Sequence, residues 1–523
     1  MRSPAVRYGI VVLVAVLAGA VPLLLSGSIP GTALPSAHGG ADPLAQAAYL
    51  AHAADHLPWQ SAFWNAPWFH PVSWTQTFLD PMVGPSVLAR VVPGAAAATD
   101  YQAALWFTVA GCVIAAAWCA RRFGVAPALA LVAGVVYAIG PYAAGHFHHL
   151  NQVPSPWLPL ALGSLRAMLD DERPARRAVL FVVAVALQAS WSVYATAALV
   201  FGAVVLAVVL AWGRERIPGR ALTIAAGGTV VVLTVAAVPY VLAGRALDGF
   251  GRDPLEALAF QARWFDLWKA ADSRLLPWPD HDPLRPALYP GAIWFVLAVL
   301  GAWWGRARRE VVALVVVGIV GLGFAFGRSF LIPFTSFEIP LPFAWLQDHL
   351  WPLRALRDPS RFAILFAWAT ALLAALGTSR LLARRPRLGL VVLVLAAVDL
   401  APGGFGSVDA GVDPDVVTTL RSIPEGEAWV GLPAACRETQ ESARDARFML
   451  WAEAARRPVA GGASGFVPPA IAGLRTACCT AFTVSCRDAL REHGVEWVLT
   501  DRFEAGGWTL LPVDALPRTD DRR

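Results

Sequence analysis

Apolar runs near the roughly 20 residues needed to cross a bilayer recur along this chain, and short polar stretches part most of them. We read about eleven such runs as membrane spans: Tyr8–Ser26, Tyr101–Ala120, Ala126–Gly145, Pro154–Leu169, Ala178–Val193, Tyr194–Trp212, Ala221–Ala243, Tyr289–Gly305, Val311–Gly327, Phe362–Ser379 and Leu388–Pro402. Ala178–Trp212 is too long for one crossing at about 1.5 Å per residue, so the polar Gln188-Ala189-Ser190-Trp191-Ser192 predicts a turn in its middle. The first run exceeds the apolar core of a signal peptide, usually about 7–15 residues, and is expected to remain as a span. This pattern predicts an all-α polytopic membrane protein over residues 1–402.

Two segments break the alternation of span and short loop. Residues 27–99 form a long polar loop between the first two runs. From Gly403 to the end the composition turns to mixed charge, over a length usual for a domain. Within it Ala428–Pro433 and Val495–Thr500 read as strands, and Asp445–Arg457 and Ser485–His493 as helices. A small α/β domain is therefore expected over 403–523.

Composition agrees with the pattern. Of 523 residues 57% are hydrophobic and 15% charged, against a usual charged share of about 25%; mean hydropathy is +0.54. A net charge of +5 could suit nucleic acid, but the arginines sit in clusters on alternate loops. Arg2/Arg7, Arg121/Arg122, Arg173/Arg176/Arg177, Arg214/Arg216/Arg220, Arg306/Arg308/Arg309 and Arg380/Arg384/Arg385/Arg387 all fall on one side. By the positive-inside rule that side is cytoplasmic, which speaks against a nucleic-acid partner. The N-terminus is then cytoplasmic, and loops 27–99, 244–288 and 328–361 and the tail face outward. Cys436, Cys478, Cys479 and Cys486 lie in that outward tail, where a disulfide, most simply between Cys486 and Cys478 or Cys479, is expected ahead of zinc. Cys112 and Cys119 sit in a span and read as inert.

No Gly-rich nucleotide loop stands out, so an outward-facing enzyme would need an activated substrate carried in the membrane. The first loop offers three acids, Asp42, Asp55 and Asp80, of which Asp42 is the principal candidate for a general base. The plainer alternative makes Asp42 a helix N-cap, with Pro43 at the first helical position. Trp59, Phe63, Trp64, Trp68, Phe69 and Trp74 read first as an interfacial aromatic belt and second as a sugar-stacking surface. His146 and His149, with Asn151 and Gln152, stand at the outer end of the third run; substrate contact is preferred to metal binding. Arg357 and Arg361, in Leu356-Arg357-Asp358-Pro359-Ser360-Arg361-Phe362, run against the positive-inside tendency. A lipid-linked phosphate would explain them, and an ion pair with Asp358 is the plainer account. Asp280-His281-Asp282 resembles a metal triplet but lies in a Pro-rich loop and reads as solvated.

Four stretches, in this order, resemble the GT-C superfamily of membrane glycosyltransferases, in an uncharacterised bacterial branch. They are Asp42-Pro43-Leu44; Pro141-Tyr142 through His146 and His149-Leu150-Asn151; Leu356 to Phe362; and Gly461-Gly462-Ala463-Ser464-Gly465-Phe466 with Gly494-Val495. The resemblance implies a GT-C-like fold in a bacterial inner membrane. It also implies inverting transfer of a sugar from a polyprenyl-phosphate donor to a glycan, lipid or protein acceptor of the cell envelope, on the outer face. The first-loop acid of the family falls on Asp42. A single acid flanked by Ala41 and Pro43 stands where several members have an Asp-Glu pair, so a divalent cation is left open and no metal ligand is assigned. On this reading Asp80, His146, His149, Arg357 and Arg361 bind substrate. The competing readings are a flippase for lipid-linked saccharides and a non-catalytic envelope scaffold; the first would put ionisable residues mid-span, and the spans are mostly apolar.

Overall fold

A helix stands in each apolar run of the computed structural model. The structure describes residues 4–36, 40–80, 82–91, 96–170, 173–215, 217–247, 256–268, 288–335, 337–354, 356–401, 406–432, 441–464, 466–478, 483–502 and 507–516. In chain order the main helices are α1 (Pro4–Ser26), α2 (Ala41–Asp55), α3 (Ala97–Arg122), α4 (Pro127–Ile139), α5 (Trp157–Met168), α6 (Pro174–Trp191), α7 (Val193–Ala211) and α8 (Gly219–Ala246). They continue as α9 (Ala292–Gly305), α10 (Arg309–Ala325), α11 (Ala363–Arg384), α12 (Pro386–Leu400), α13 (Pro414–Arg421), α14 (Glu441–Ala455), α15 (Pro469–Ala477) and α16 (Val484–Glu492).

Among the described residues six stretches are long and apolar enough to cross a membrane: Tyr8–Ser26, Ala97–Arg122, Pro127–Ala144, Val193–Ala211, Gly219–Ala246 and Pro359–Arg384. The chain is a multi-pass membrane protein. Length and hydropathy alone support these six crossings; α5 has 12 residues and α9 has 14, which leaves the figure of about eleven an expectation. The break expected in Ala178–Trp212 falls at Ser192. Its extended backbone ends α6, and its hydroxyl accepts from the Ala195 amide to start α7. The helices pack through small residues: a Cβ on Gly301 of α9 would lie 2.0 Å from the Leu373 carbonyl of α11, so the two backbones touch.

The first loop does not stand free. Strand β1 (Ala33–Ser36) pairs antiparallel with β4 (Gly406–Asp409), and a short hairpin joins β2 (Ser329–Leu331) to β3 (Glu338–Pro340). In the tail β5 (Ala428–Leu432) runs parallel to β6 (Val495–Arg502), which pairs antiparallel with β7 (Gly507–Pro512). Val430, Leu432, Leu474, Leu490, Val495 and Val498 form its inner core, with the Cys478–Cys486 disulfide beside them. A larger apolar cluster runs unbroken from the membrane helices through the first loop to Trp429, Phe448 and Leu499 of the tail.

That continuity overturns one expectation. Phe63, Trp68 and Phe69 are fully buried, Trp64 and Trp74 are half-buried, and Trp59 is 78% exposed. The Trp68 ring packs on Tyr49 of α2 at 5.0 Å, and the Phe69 amide donates to the Gly461 carbonyl at 3.0 Å. The passage is the seam between loop and tail, because apolar rings with a protein partner at hand leave both water and the interface. Asp280-His281-Asp282, Cys436, Cys479 and Gly465 lie outside the described residues.

Candidate active site

The local sequence sets the position of Asp42. Gly40 takes φ 77°, a left-handed turn open to glycine, and a Cβ there would meet Val408 of β4 at 2.7 Å. The chain can therefore turn into α2 against the tail only with glycine at this point. Gly40, not Asp42, is the N-cap. Asp42 lies two positions past the cap, in the first turn, with its side chain 58% exposed.

The segment after α4 brings a histidine to it. A short helix, Pro141–Ala144, is followed by successive turns in which the His149 amide bonds the His146 carbonyl and the Gln152 amide bonds the His149 carbonyl. His149 Nε2 ends 2.7 Å from Asp42 Oδ2, and its Nδ1 is buried with no hydrogen-bond partner. Crowding by neighbouring protein atoms raises the proton affinity of the Asp42 carboxyl despite its open edge, but His149 by charge and hydrogen bond, then His148 and Arg357, outweigh it. The carboxyl is held well below the usual carboxylate range.

A cationic half faces this pair. Asp358 caps the turn Pro359–Phe362 by accepting from the Ser360 amide, and its other oxygen takes the Arg361 Nε at 3.0 Å. The Arg361 guanidinium lies 3.9 Å above the Tyr194 ring. Tyr194 Oη also accepts from the Arg357 amide at 3.2 Å, and the Arg357 guanidinium covers the Phe260 ring at 4.9 Å. The first turn of α7 thus orients both arginines. Asp358 engages only Nε of Arg361, which turns the guanidinium without covering its terminal nitrogens.

Asp80 fastens the first loop to that turn. Its Oδ1 accepts from the Val193 amide at 2.9 Å and its Oδ2 from Asn151 Nδ2 at 2.8 Å. Burial pushes its carboxyl up, opposed by these bonds and by the charge of Arg361. His146 stacks on Tyr142 at 4.6 Å and donates Nδ1–H to the Tyr142 carbonyl at 2.6 Å. Burial holds His146 neutral, pushed down to about 4.

The six residues predicted from sequence come into one neighbourhood. Asp42 touches His149 and feels Arg357; His146 lies in the fields of His149 and Arg361; Arg361 faces Asp80. Asp55 stays apart at the other end of α2, about 20 Å away by helix rise. Sequence reasoning missed Tyr194 and Phe260. An aromatic directly after the polar break at Ser192, at a span's end, was the available signal for Tyr194. Among the described residues no group of three or more His, Cys, Asp or Glu side chains gathers as metal donors.

Two solved structures share this fold. The Archaeoglobus fulgidus oligosaccharyltransferase, in its crystal structure with zinc and sulfate, matches over 94% of this chain and 68% of its own, with TM-score 0.52 and 14% identity. The mycobacterial arabinofuranosyltransferase AftD, solved by cryo-electron microscopy, matches over 93% of this chain at TM-score 0.60 and 17% identity. The chain spans 36% of AftD's length. No family model and no curated protein matches by sequence. At this identity the likeness is one of fold, and it agrees with the fold that the sequence resemblance implies.

Proposed function

We propose that this protein is a membrane glycosyltransferase that moves a sugar from a polyprenyl-phosphate donor to a hydroxyl of a cell-envelope acceptor at the outer face, with inversion. The observation that carries the reading is the juxtaposition of a solvent-open carboxylate–imidazole pair, Asp42–His149, with two arginines set on aromatic faces. The two solved structures named above are an oligosaccharyltransferase and an arabinofuranosyltransferase, which supports the class.

The acceptor oxygen attacks the anomeric carbon while its proton passes to Asp42. The bond from that carbon to the phosphate oxygen breaks, and its electron pair leaves with the lipid phosphate. Arg361 and Arg357 meet the developing charge. His149, His148 and Arg357, which depress the Asp42 carboxyl, keep it ionised throughout the working range. As a weak base it takes the proton late, when cleavage of the sugar–phosphate bond is advanced. Arg357 and Arg361 share the site with Asp42, Asp80 and Asp358, a balance that suits the single charge of a phosphodiester better than a pyrophosphate. Asp80, with both oxygens bound, orders the site from behind. The domain reading follows: residues 1–402 supply the membrane body, and 403–523 an extracytoplasmic domain that closes on loop 27–99.

The test is transfer of labelled sugar from a synthetic polyprenyl-phosphate donor by the protein in nanodiscs. Transfer by wild type with loss in Asp42→Asn is expected; full transfer by Asp42→Asn would sink the assignment.

A further inference from the structure

The tail holds α2 at the end remote from Asp42. His52, 3% exposed, sets Nε2 2.9 Å from the Ala62 carbonyl and Nδ1 3.0 Å from Glu453 Oε2 of α14. A carbonyl oxygen only accepts, so Nε2 carries a hydrogen. A neutral ring would then turn the Nδ1 lone pair against the lone pairs of a carboxylate. Contact at this distance requires one more proton between the two, on Nδ1 or on Glu453.

The surrounding charges do not replace that proton. The His56 ring lies 4.4 Å away and uses Nδ1 on the His52 carbonyl. Arg90 caps the carbonyls of Ala53, Ala54 and His56. Asp55 faces Arg456 at 3.7 Å, both exposed, and Asp100 of α3 feels Asp55. The Trp68 ring edge, 5.4 Å from His52, covers the pair on the loop side. None of these groups bonds Glu453 Oε2 or His52 Nδ1.

We propose that His52 and Glu453 form a proton-dependent latch through which the C-terminal segment sets the position of α2, and so of Asp42. Both are positioning residues: α2 is a continuous helix with Asp42 in its first turn and His52 in its last. The latch is closed at low pH and lost as pH rises through the titration of the pair. Its effect on transfer rests on the function proposed above; the latch itself does not.

Amide hydrogen exchange of residues 41–55 in the full chain, corrected for intrinsic rates, tests it at pH about 6 and about 9. Wild type should lose protection on the order of tenfold at the higher pH, as for a local opening. Glu453→Gln supplies an N–H to the neutral ring and should be protected equally at both pH values. His52→Leu should be unprotected at both. Wild-type protection that ignores pH, or a Glu453→Gln protein as sensitive as wild type, overturns the latch. Transfer unchanged in His52→Leu despite lost protection overturns its hold on Asp42. A wild type without any transfer refutes the proposed function, and the exchange results still decide the latch.

Discussion

Asp42 and Asp80 belong to one loop and one sequence class, yet the fold treats them in opposite ways. Asp42 is open to water, bonded through a single oxygen, and held ionised by His149, His148 and Arg357. Asp80 is 5% exposed, with both oxygens engaged and its carboxyl pushed up by burial. A carboxylate with a free oxygen facing solvent can exchange protons with a substrate. One that is buried with both oxygens already bonded is better placed to hold structure. On the proposed function, the contrast would separate chemistry from positioning beside the same arginines.

The comparison breaks first at Asp42. Asp42→Asn should lower the transfer rate by roughly 10²–10⁴, the usual contribution of a general base, with unfolding temperature unchanged. Equal losses in Asp42→Asn and Asp80→Asn would erase the distinction. Next, Arg361→Ala should cost roughly 10²–10³ in rate, as removal of a donor to developing charge does. Arg361→Lys should recover only part, since an ammonium neither stacks on Tyr194 like a guanidinium nor offers its fork.

Acid sharpens the picture from another side. His146 titrates at about 4 in the native protein against 6.5 ordinarily, so the unfolded chain binds more protons between those values. Stability should therefore fall as pH drops from 6.5 toward about 4, by about 3 kcal/mol. Thermal unfolding against pH measures it, and a His146→Asn protein should show a flatter acid limb.

Asp80 itself should respond through stability. Asp80→Ala strands the Val193 amide and Asn151 Nδ2 and should cost about 1–3 kcal/mol in denaturant unfolding. Asp80→Asn should be far milder, because Asn151 has a buried, unpartnered Oδ1 and can turn its amide to accept from the new side chain. The smallest effect is expected at Asp55. Its contact with Arg456 is long and exposed, and Asp55→Ala should change unfolding by less than about 0.5 kcal/mol and leave transfer alone.

What was legible in the sequence was whatever local periodicity or charge asymmetry encodes. The apolar runs marked the helices, the polar break at Gln188–Ser192 marked the turn, and the outward arginines marked the site's cationic half. The strands Ala428–Leu432 and Val495–Arg502 and two helices of the tail, Glu441–Ala455 and Val484–Glu492, were readable for the same reason, while Pro414–Arg421 and Pro469–Ala477 were not read. Long-range pairing was not. Nothing in Ala33–Ser36 announces Gly406–Asp409 as its partner, and nothing in the aromatic passage says whether a bilayer or a tail will cover it. Tyr194 escaped for a related reason. Its task is to hold two arginines more than 160 residues downstream, which no window along the chain can contain.

The β1–β4 ladder bears on how the protein is made. It ties Ala33 to Asp409, so a growing chain must thread nearly every apolar helix into the bilayer before the loop meets its partner strand. Until the last fifth of the polypeptide emerges, β1 offers an open edge and the rings of Phe63, Trp68 and Phe69 lack the cover they have at the end. A nascent chain stalled short of Gly406 would then keep an unpaired strand edge and uncovered rings, and would be sticky.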